Sequence, residues 1–216
     1  MKNIFKPTLF STPMVQAILE GRKNQTRRTK GLEHINKNPD NWLIVSDWFA
    51  SDGICISEKN TDQIFYPKEP CSVGEIIWVR ETFLTQPYCP HKIAYKADYT
   101  PEMLSKLKKY QKWKPSIFMP KHACRIFLKV KSVSIERLQE ITAKDCIAEG
   151  VSDRLKFSDF PAMAALRGEY IPNPFTSHQF GFMALWCKIN GPKSWLSNPW
   201  VWRIEFERIE KPLDFI

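Results

Sequence analysis

The chain has 216 residues, 43% of them hydrophobic and 25% charged, enough to bury a core as one domain with insertions without a metal or a disulfide. Thirty-two Lys and Arg against 23 Asp and Glu leave a net charge of +9, which favours an anionic partner, nucleic acid first among them. No apolar run exceeds six residues (182–187), which excludes a spanning helix, and the opening MKNIFKPTLFSTP lacks the apolar core of a signal peptide, so no membrane contact and a cytoplasmic location are expected.

The first element expected is a short helix, with Thr12 as N-cap, Pro13 at its first position, Val15, Ile18 and Leu19 at helical spacing, and Gly21 as its stop. Past its end lies Gly21-Arg22-Lys23-Asn24-Gln25-Thr26-Arg27-Arg28-Thr29-Lys30, five of whose ten residues are cationic. Such cations complement the negative end of a helix dipole, and they also suit a nucleotide, with Lys23 and Thr26 placing an amine beside a hydroxyl. Residues 31–70 read as an irregular excursion with strand-like pieces at 43–45 and 54–56. Residues 74–83 form a strand opened by a glycine turn, and 85–122, with five prolines and a basic helical stretch at 101–112, form a second excursion. Within it Trp113, Phe118 and Met119, with Ser116 between them, are held on an extended path by Pro115 and Pro120 and offer an apolar wall beside a base. Loop pinning on the core is the alternative role.

From residue 124, Ile126, Leu128 and Val130 alternate with Arg125, Lys129 and Lys131 as in a half-buried strand. Thr142 then caps a two-turn helix with Asp145 at N3, Ile141 and Cys146 as a hydrophobic staple, and Gly150 as its end. Glu149, its final residue, is an anion at the negative end of the dipole, an unfavourable position of the kind that working sites tolerate. A third excursion spans 152–175, a third helix 177–189, and a closing strand alternates Trp200, Trp202, Ile204 and Phe206 against Val201, Arg203, Glu205 and Glu207. Few helices and no regular βαβ alternation predict an α+β fold built on a curved, largely antiparallel sheet or small β-barrel with flanking helices. The six cysteines contain no CxxC and read as buried thiols. Cys89-Pro90-His91 and His122-Ala123-Cys124 are spaced too tightly for an ordinary zinc site, and no Gly-rich phosphate loop, HExxH or GxSxG occurs, so neither metal nor cofactor is expected.

The segments Ile18-Leu19-Glu20-Gly21-Arg22-Lys23-Asn24-Gln25-Thr26-Arg27-Arg28 and Gly74-Glu75-Ile76-Ile77-Trp78-Val79-Arg80-Glu81, the strand from Arg125, the helix Thr142 to Gly150 and the closing strand together resemble the ASCH family of the PUA-like superfamily. The layout, with its PSIFMP segment and NPWVW ending, is similar to phage and prophage proteins of that family. The resemblance implies one ASCH domain over 1–216 with insertions at about 31–70, 85–122 and 152–175, a cleft, and a role in RNA or nucleotide biology, with RNA favoured over DNA. Small bacterial relatives are amidohydrolases acting on N4-acetylcytidine, and their Lys, Thr and Glu fall on Lys23, Thr26 and Glu149, with Arg28 matching a following arginine. Asn24 and Gln25 depart from their small or β-branched residues, and this chain is much longer.

The resemblance implies a catalytic set of Lys23 as base, Thr26 as nucleophile and Glu149 as proton donor, with Arg28 or a backbone N–H holding the oxyanion. Arg22, Arg27, Arg28, Arg80, Glu81, Trp113, Ser116, Phe118, Met119 and Arg125 are then the expected substrate or nucleic-acid contacts. The alternatives are a non-catalytic module in which the same residues only hold a base, a ribonuclease, and a phage structural or adaptor protein.

Overall fold

The computed structural model describes residues 3–45, 54–61, 63–86, 89–107, 112–151 and 176–215. The expected excursion at 152–175 lies outside them. In chain order the elements are β1 (Phe5–Leu9), α1 (Thr12–Leu19), β2 (Gln25–Arg28), β3 (Trp42–Val45), β4 (Cys55–Glu58), β5 (Ile64–Phe65), β6 (Ile76–Arg80), β7 (Phe83–Gln86), β8 (Cys89–Tyr95), α2 (Pro101–Ser105), β9 (Phe127–Arg137), α3 (Ala143–Ala148), α4 (Ser177–Asn190), α5 (Pro192–Leu196) and β10 (Trp200–Ile209). The fold is α+β, and among the described residues no sheet closes into a barrel. Residue contacts divide the chain into two compact units. The first comprises Met1–Asn24, Val73–Lys131 and Phe206–Ile216; the second comprises Gln25–Ser72 and Ser132–Glu205.

In the first unit, β1 lies parallel to β6, with Phe5 opposite Ile76 and Leu9 opposite Arg80. The expected sheet is largely antiparallel, and the long connection between these two strands is what permits a parallel pair within it. On its other side β6 pairs antiparallel with β9, and β9 is followed in the sheet by β10. Strands β7 and β8 form a separate antiparallel hairpin. Ile76, Trp78, Phe83, Met119 and Phe127 pack with Phe215, whose ring meets Phe127 edge-on at 4.7 Å and Phe5 at 4.9 Å. Burial of one such side chain contributes about 1.5–3 kcal/mol. Helix α1 starts one residue earlier than its sequence suggests: Ser11 is the N-cap, with no side-chain cap bond, and Pro13 sits in the first turn. At its far end Gly21 adopts φ +75°, and the N–H groups of Arg22 and Lys23 both donate to the Ala17 carbonyl, at 2.9 and 3.0 Å. Of the expected basic helical stretch over 101–112, the described residues include α2, capped by Thr100, and residues 108–111 lie outside them.

In the second unit the sheet order is β9-β10-β2, which makes β2 an edge strand, and β3-β4-β5 form an antiparallel sheet of their own. The adjacency of β9 and β10 agrees with the alternation of both sequences. Val201, expected on the polar face of β10, is buried with Leu138, Ile141, Cys146, Phe182, Trp186 and Trp195, so the first half of that strand is covered on both faces. Helix α3 has the expected capping box: the Thr142 hydroxyl accepts from the Asp145 N–H at 3.1 Å and the Asp145 carboxylate accepts from the Thr142 N–H at 3.2 Å. Glu149 is its C-cap, and Gly150, at φ +85°, ends it.

Cys55, Cys71, Cys124, Cys146 and Cys187 are buried free thiols; burial pushes Cys124 up to about 11 and Cys146 up to about 12, which makes them poor nucleophiles. Among the described residues no helix is long and apolar enough to cross a membrane.

Candidate nucleic-acid interface

The basic segment after α1 contains β2, a strand that its sequence conceals. Its register against β10 sets Gln25 opposite Glu205, Thr26 opposite Ile204, Arg27 opposite Arg203 and Arg28 opposite Trp202. Successive side chains alternate across a strand, so Gln25 and Arg27 share one face with Arg203 and Glu205, while Thr26 and Arg28 share the other with Trp202 and Ile204.

Arg27 is the centre of the first face. Its side chain is 1% exposed, and a buried guanidinium must be fully paired to be tolerated. Its Nε donates to Glu136 Oε1 at 2.7 Å, Nη1 donates to Glu149 Oε1 at 3.2 Å and to Gln25 Oε1 at 3.3 Å, and Nη2 lies 3.8 Å from Asp145 Oδ2. The Phe182 ring of α4 lies 5.8 Å from the guanidinium carbon. Gln25 in turn donates to Glu205 at 3.1 Å, and Arg203 pairs with both Glu205 and Glu136. Burial alone would raise the Asp145 carboxyl, but hydrogen bonds from Thr142 and Gln25, with Arg27 nearby, bring it below its ordinary value. Arg203 and Glu205, bonded to one another, shift apart, the arginine up and the carboxyl down.

Glu149 is 3% exposed, and its place at the end of α3 is offset by Arg27. The Oε1 that faces Arg27 accepts that hydrogen bond. Arg28 also feels this carboxylate. Burial pulls the Arg28 guanidinium below its ordinary value, and Glu149 partly restores it. Thr26 is buried in the same unit, and among the described residues no hydrogen bond joins it to Glu149. Lys23 belongs to the first unit, where it is buried with its Nζ 6.0 Å from the Phe10 ring centre. Arg22, in the same unit, is exposed and donates to Glu20 at 2.7 Å.

The remaining expected contacts are all in the first unit, and there the structure links them. Glu81 is buried, and both its carboxylate oxygens accept from Arg125, at 2.8 and 3.0 Å; Arg125 also makes two bonds to Asp98 and lies 3.9 Å from the Tyr95 ring centre. Burial holds Glu81 above the ordinary carboxylate range despite its arginine. The Met119 sulfur, buried beneath, accepts from the Glu81 N–H at 3.1 Å. Arg80 packs against Trp78 and donates to the Ile117 carbonyl in the single turn Ser116–Phe118. Trp113 meets Tyr99 edge-on at 5.1 Å.

Glu136, Asp145, Arg203, Glu205 and Gln25 are the members of the second unit's network that the sequence did not mark as site residues. The opposite charges two apart in Arg203-Ile204-Glu205, on a strand whose other face is apolar, are the one local signal of it. Comparison with protein-family models, with curated proteins and with solved structures finds no match.

Proposed function

We propose that this chain is a PUA-like protein of the ASCH type that binds single-stranded nucleic acid, RNA in preference to DNA, and holds a nucleobase beside β2 with Arg28 and Glu149. The observation that carries the reading is a buried carboxylate, Glu149, bonded to Arg27 beside the edge strand β2 and near enough for its charge to act on the desolvated Arg28. Desolvation combined with a specific charge partner is characteristic of working sites. A base edge presents donors and acceptors together, and a guanidinium with a carboxylate answers both. The net charge of +9 supplies attraction for the phosphates. Arg27 does not contact the ligand in this scheme, because its side chain is buried and ion-paired inside the protein; it holds Glu149 in place.

The test is binding of single-stranded oligonucleotides of varied base composition to the wild type and to Arg28→Ala. Loss of one charged hydrogen bond is worth about 1.5–3 kcal/mol, so affinity falls roughly 10- to 150-fold and preference among bases weakens. Equal affinity and equal preference in the variant would contradict the reading.

Hydrolysis of an N-acylated base is the second reading, favoured by the burial of Thr26 and Glu149 in one unit. It requires the Thr26 hydroxyl to attack the acyl carbon, its proton passing to the leaving amine as the C–N bond breaks, and water then to hydrolyse the resulting Thr26 ester and release acetate. Release of acetate from N4-acetylcytidine, free or within an oligonucleotide, that disappears in Thr26→Ala would establish it. Binding without release leaves the non-catalytic module, and cleavage of the RNA strand itself leaves the nuclease.

A further inference from the structure

The first unit contains an acid-free tract. From Met103 to Lys131 the sequence has nine Lys and Arg and no Asp or Glu, a surplus equal to the net charge of the whole chain. Arg125 spends its charge on Glu81 and Asp98, and Lys131 is paired with Glu207. Lys112, Lys114 and Lys121 are exposed and make no ion pair among the described residues; Lys114 Nζ donates to the Thr85 hydroxyl at 3.1 Å, and Lys121 Nζ lies 4.9 Å from the Phe215 ring centre. They flank the turn Ser116–Phe118.

That turn breaks the ordinary rule for apolar side chains. Ile117 is 57% exposed and Phe118 is 68% exposed, yet the backbone beneath them is held at many points. Lys114 exchanges backbone hydrogen bonds with Phe83, at 2.8 and 3.2 Å. The N–H groups of Phe118 and Met119 donate to the carbonyls of Pro115 and Ser116, and the Ile117 carbonyl accepts from Arg80. Met119, the next side chain, is buried and accepts from the Glu81 N–H. Pro115 and Pro120 fix the path on either side. An exposed ring on a pre-ordered turn loses little conformational entropy when something stacks on it.

We infer that the Ser116–Phe118 turn, with Lys112, Lys114 and Lys121, is a second contact surface for single-stranded nucleic acid, in which Phe118 stacks on an unpaired base and the lysines track the phosphates. Ring and lysines each answer one part of such a strand. Base stacking on an aromatic face tolerates any sequence, and flanking ammonium groups hold the strand through phosphates without reading it. Duplex is disfavoured, because its bases offer no free face to Phe118. An anionic membrane is the rival occupant, but one ring and one Ile side chain form a small apolar anchor, whereas a single ring is what one base requires. These residues are separate from Thr26, Arg28 and Glu149, so this surface stands whether or not the reading of β2 does.

The experiment is anisotropy titration of a labelled 12-nucleotide RNA strand, and of the same length with an abasic centre, against the full chain and its Phe118→Ala, Phe118→Tyr and Lys114→Gln/Lys121→Gln variants. Phe118 is exposed, so its replacement leaves the melting temperature unchanged. Affinity of Phe118→Ala for the intact strand falls about 5- to 100-fold, the salt slope is retained, and Phe118→Tyr restores binding. The double lysine variant lowers the salt slope by about 0.7 for each phosphate that is no longer neutralised. Loss in Phe118→Ala with Arg28→Ala unaffected upholds this surface and fails the base site; the reverse pattern does the opposite. Wild-type affinity in Phe118→Ala overturns the inference, as does a Phe118-dependent association with phosphatidylserine vesicles without any effect on RNA.

Discussion

Each unit buries an arginine–carboxylate network, and the two are built in opposite senses. In the first, the acid is the buried member: Glu81 is enclosed, while Arg125 is 27% exposed and reaches it from the rim. In the second, the central cation is buried, and Arg27 gathers Glu136, Asp145 and the equally enclosed Glu149 around itself. Buried charge is costly wherever it is placed, so the buried partner decides what the network tolerates. A carboxyl can take up a proton and become neutral, whereas a guanidinium cannot. The buried member of the first network is therefore able to become neutral, whereas the guanidinium at the centre of the second keeps a fixed demand for carboxylate partners. That rigidity suits a site meant to hold Glu149 in one orientation.

Deleting each arginine tests this contrast most strongly. Arg27→Met leaves three carboxylates without their common partner and should cost about 3–5 kcal/mol in urea unfolding at neutral pH. Arg125→Met should cost about half as much, because solvent already screens that pair and Glu81 can protonate. An equal or larger loss from Arg125→Met would erase the distinction.

The pH dependence sharpens it. The folded value of Asp145 is depressed, so its contribution is present above the unfolded value and is lost as pH falls through the folded one. The folded value of Glu81 is raised, so its contribution is fullest below the unfolded value and is lost as pH rises through the folded one. Hydrogen exchange between about pH 3 and 7 should show protection of α3 falling on acidification, with Asp145→Asn flattening the profile, and the opposite slope for β6, flattened by Glu81→Gln. Parallel slopes in the two units would contradict the assignment.

Helix caps give the smallest contrast. Thr142→Ala removes a side-chain cap bond and should lower the melting temperature by an amount equivalent to about 1 kcal/mol. Ser11→Ala removes none, since Ser11 makes no such bond, and should cost less than about 0.5 kcal/mol.

The same contrast explains which features are legible in the sequence. Capping box and terminal glycine are local signals, so α3 is legible to within a residue, and α4 and the alternating strands β9 and β10 are nearly so. At the start of α1 three consecutive residues, Ser11-Thr12-Pro13, suit a helix entry, and the cap falls one position earlier than the best-looking choice. Strand β2 is hidden because Gln-Thr-Arg-Arg has no apolar alternation; it is a strand by virtue of pairing with β10, which is a tertiary fact. The polar networks are hidden for a related reason. Arg27 and Glu149 are 122 residues apart, and Arg125 and Glu81 are 44 apart, so each residue is noticeable alone while its partner is not. By sequence Arg27 therefore resembles a ligand contact, whereas in the fold it is buried and ion-paired within the protein.

The central claim, that a basic surface binds single-stranded nucleic acid, is tested most directly by measuring RNA affinity across a range of salt. Log K should fall linearly with log salt concentration, with a slope near about −0.7 for each phosphate engaged and several phosphates engaged in all. Absence of binding at low salt, or affinity that does not change with salt, would contradict it.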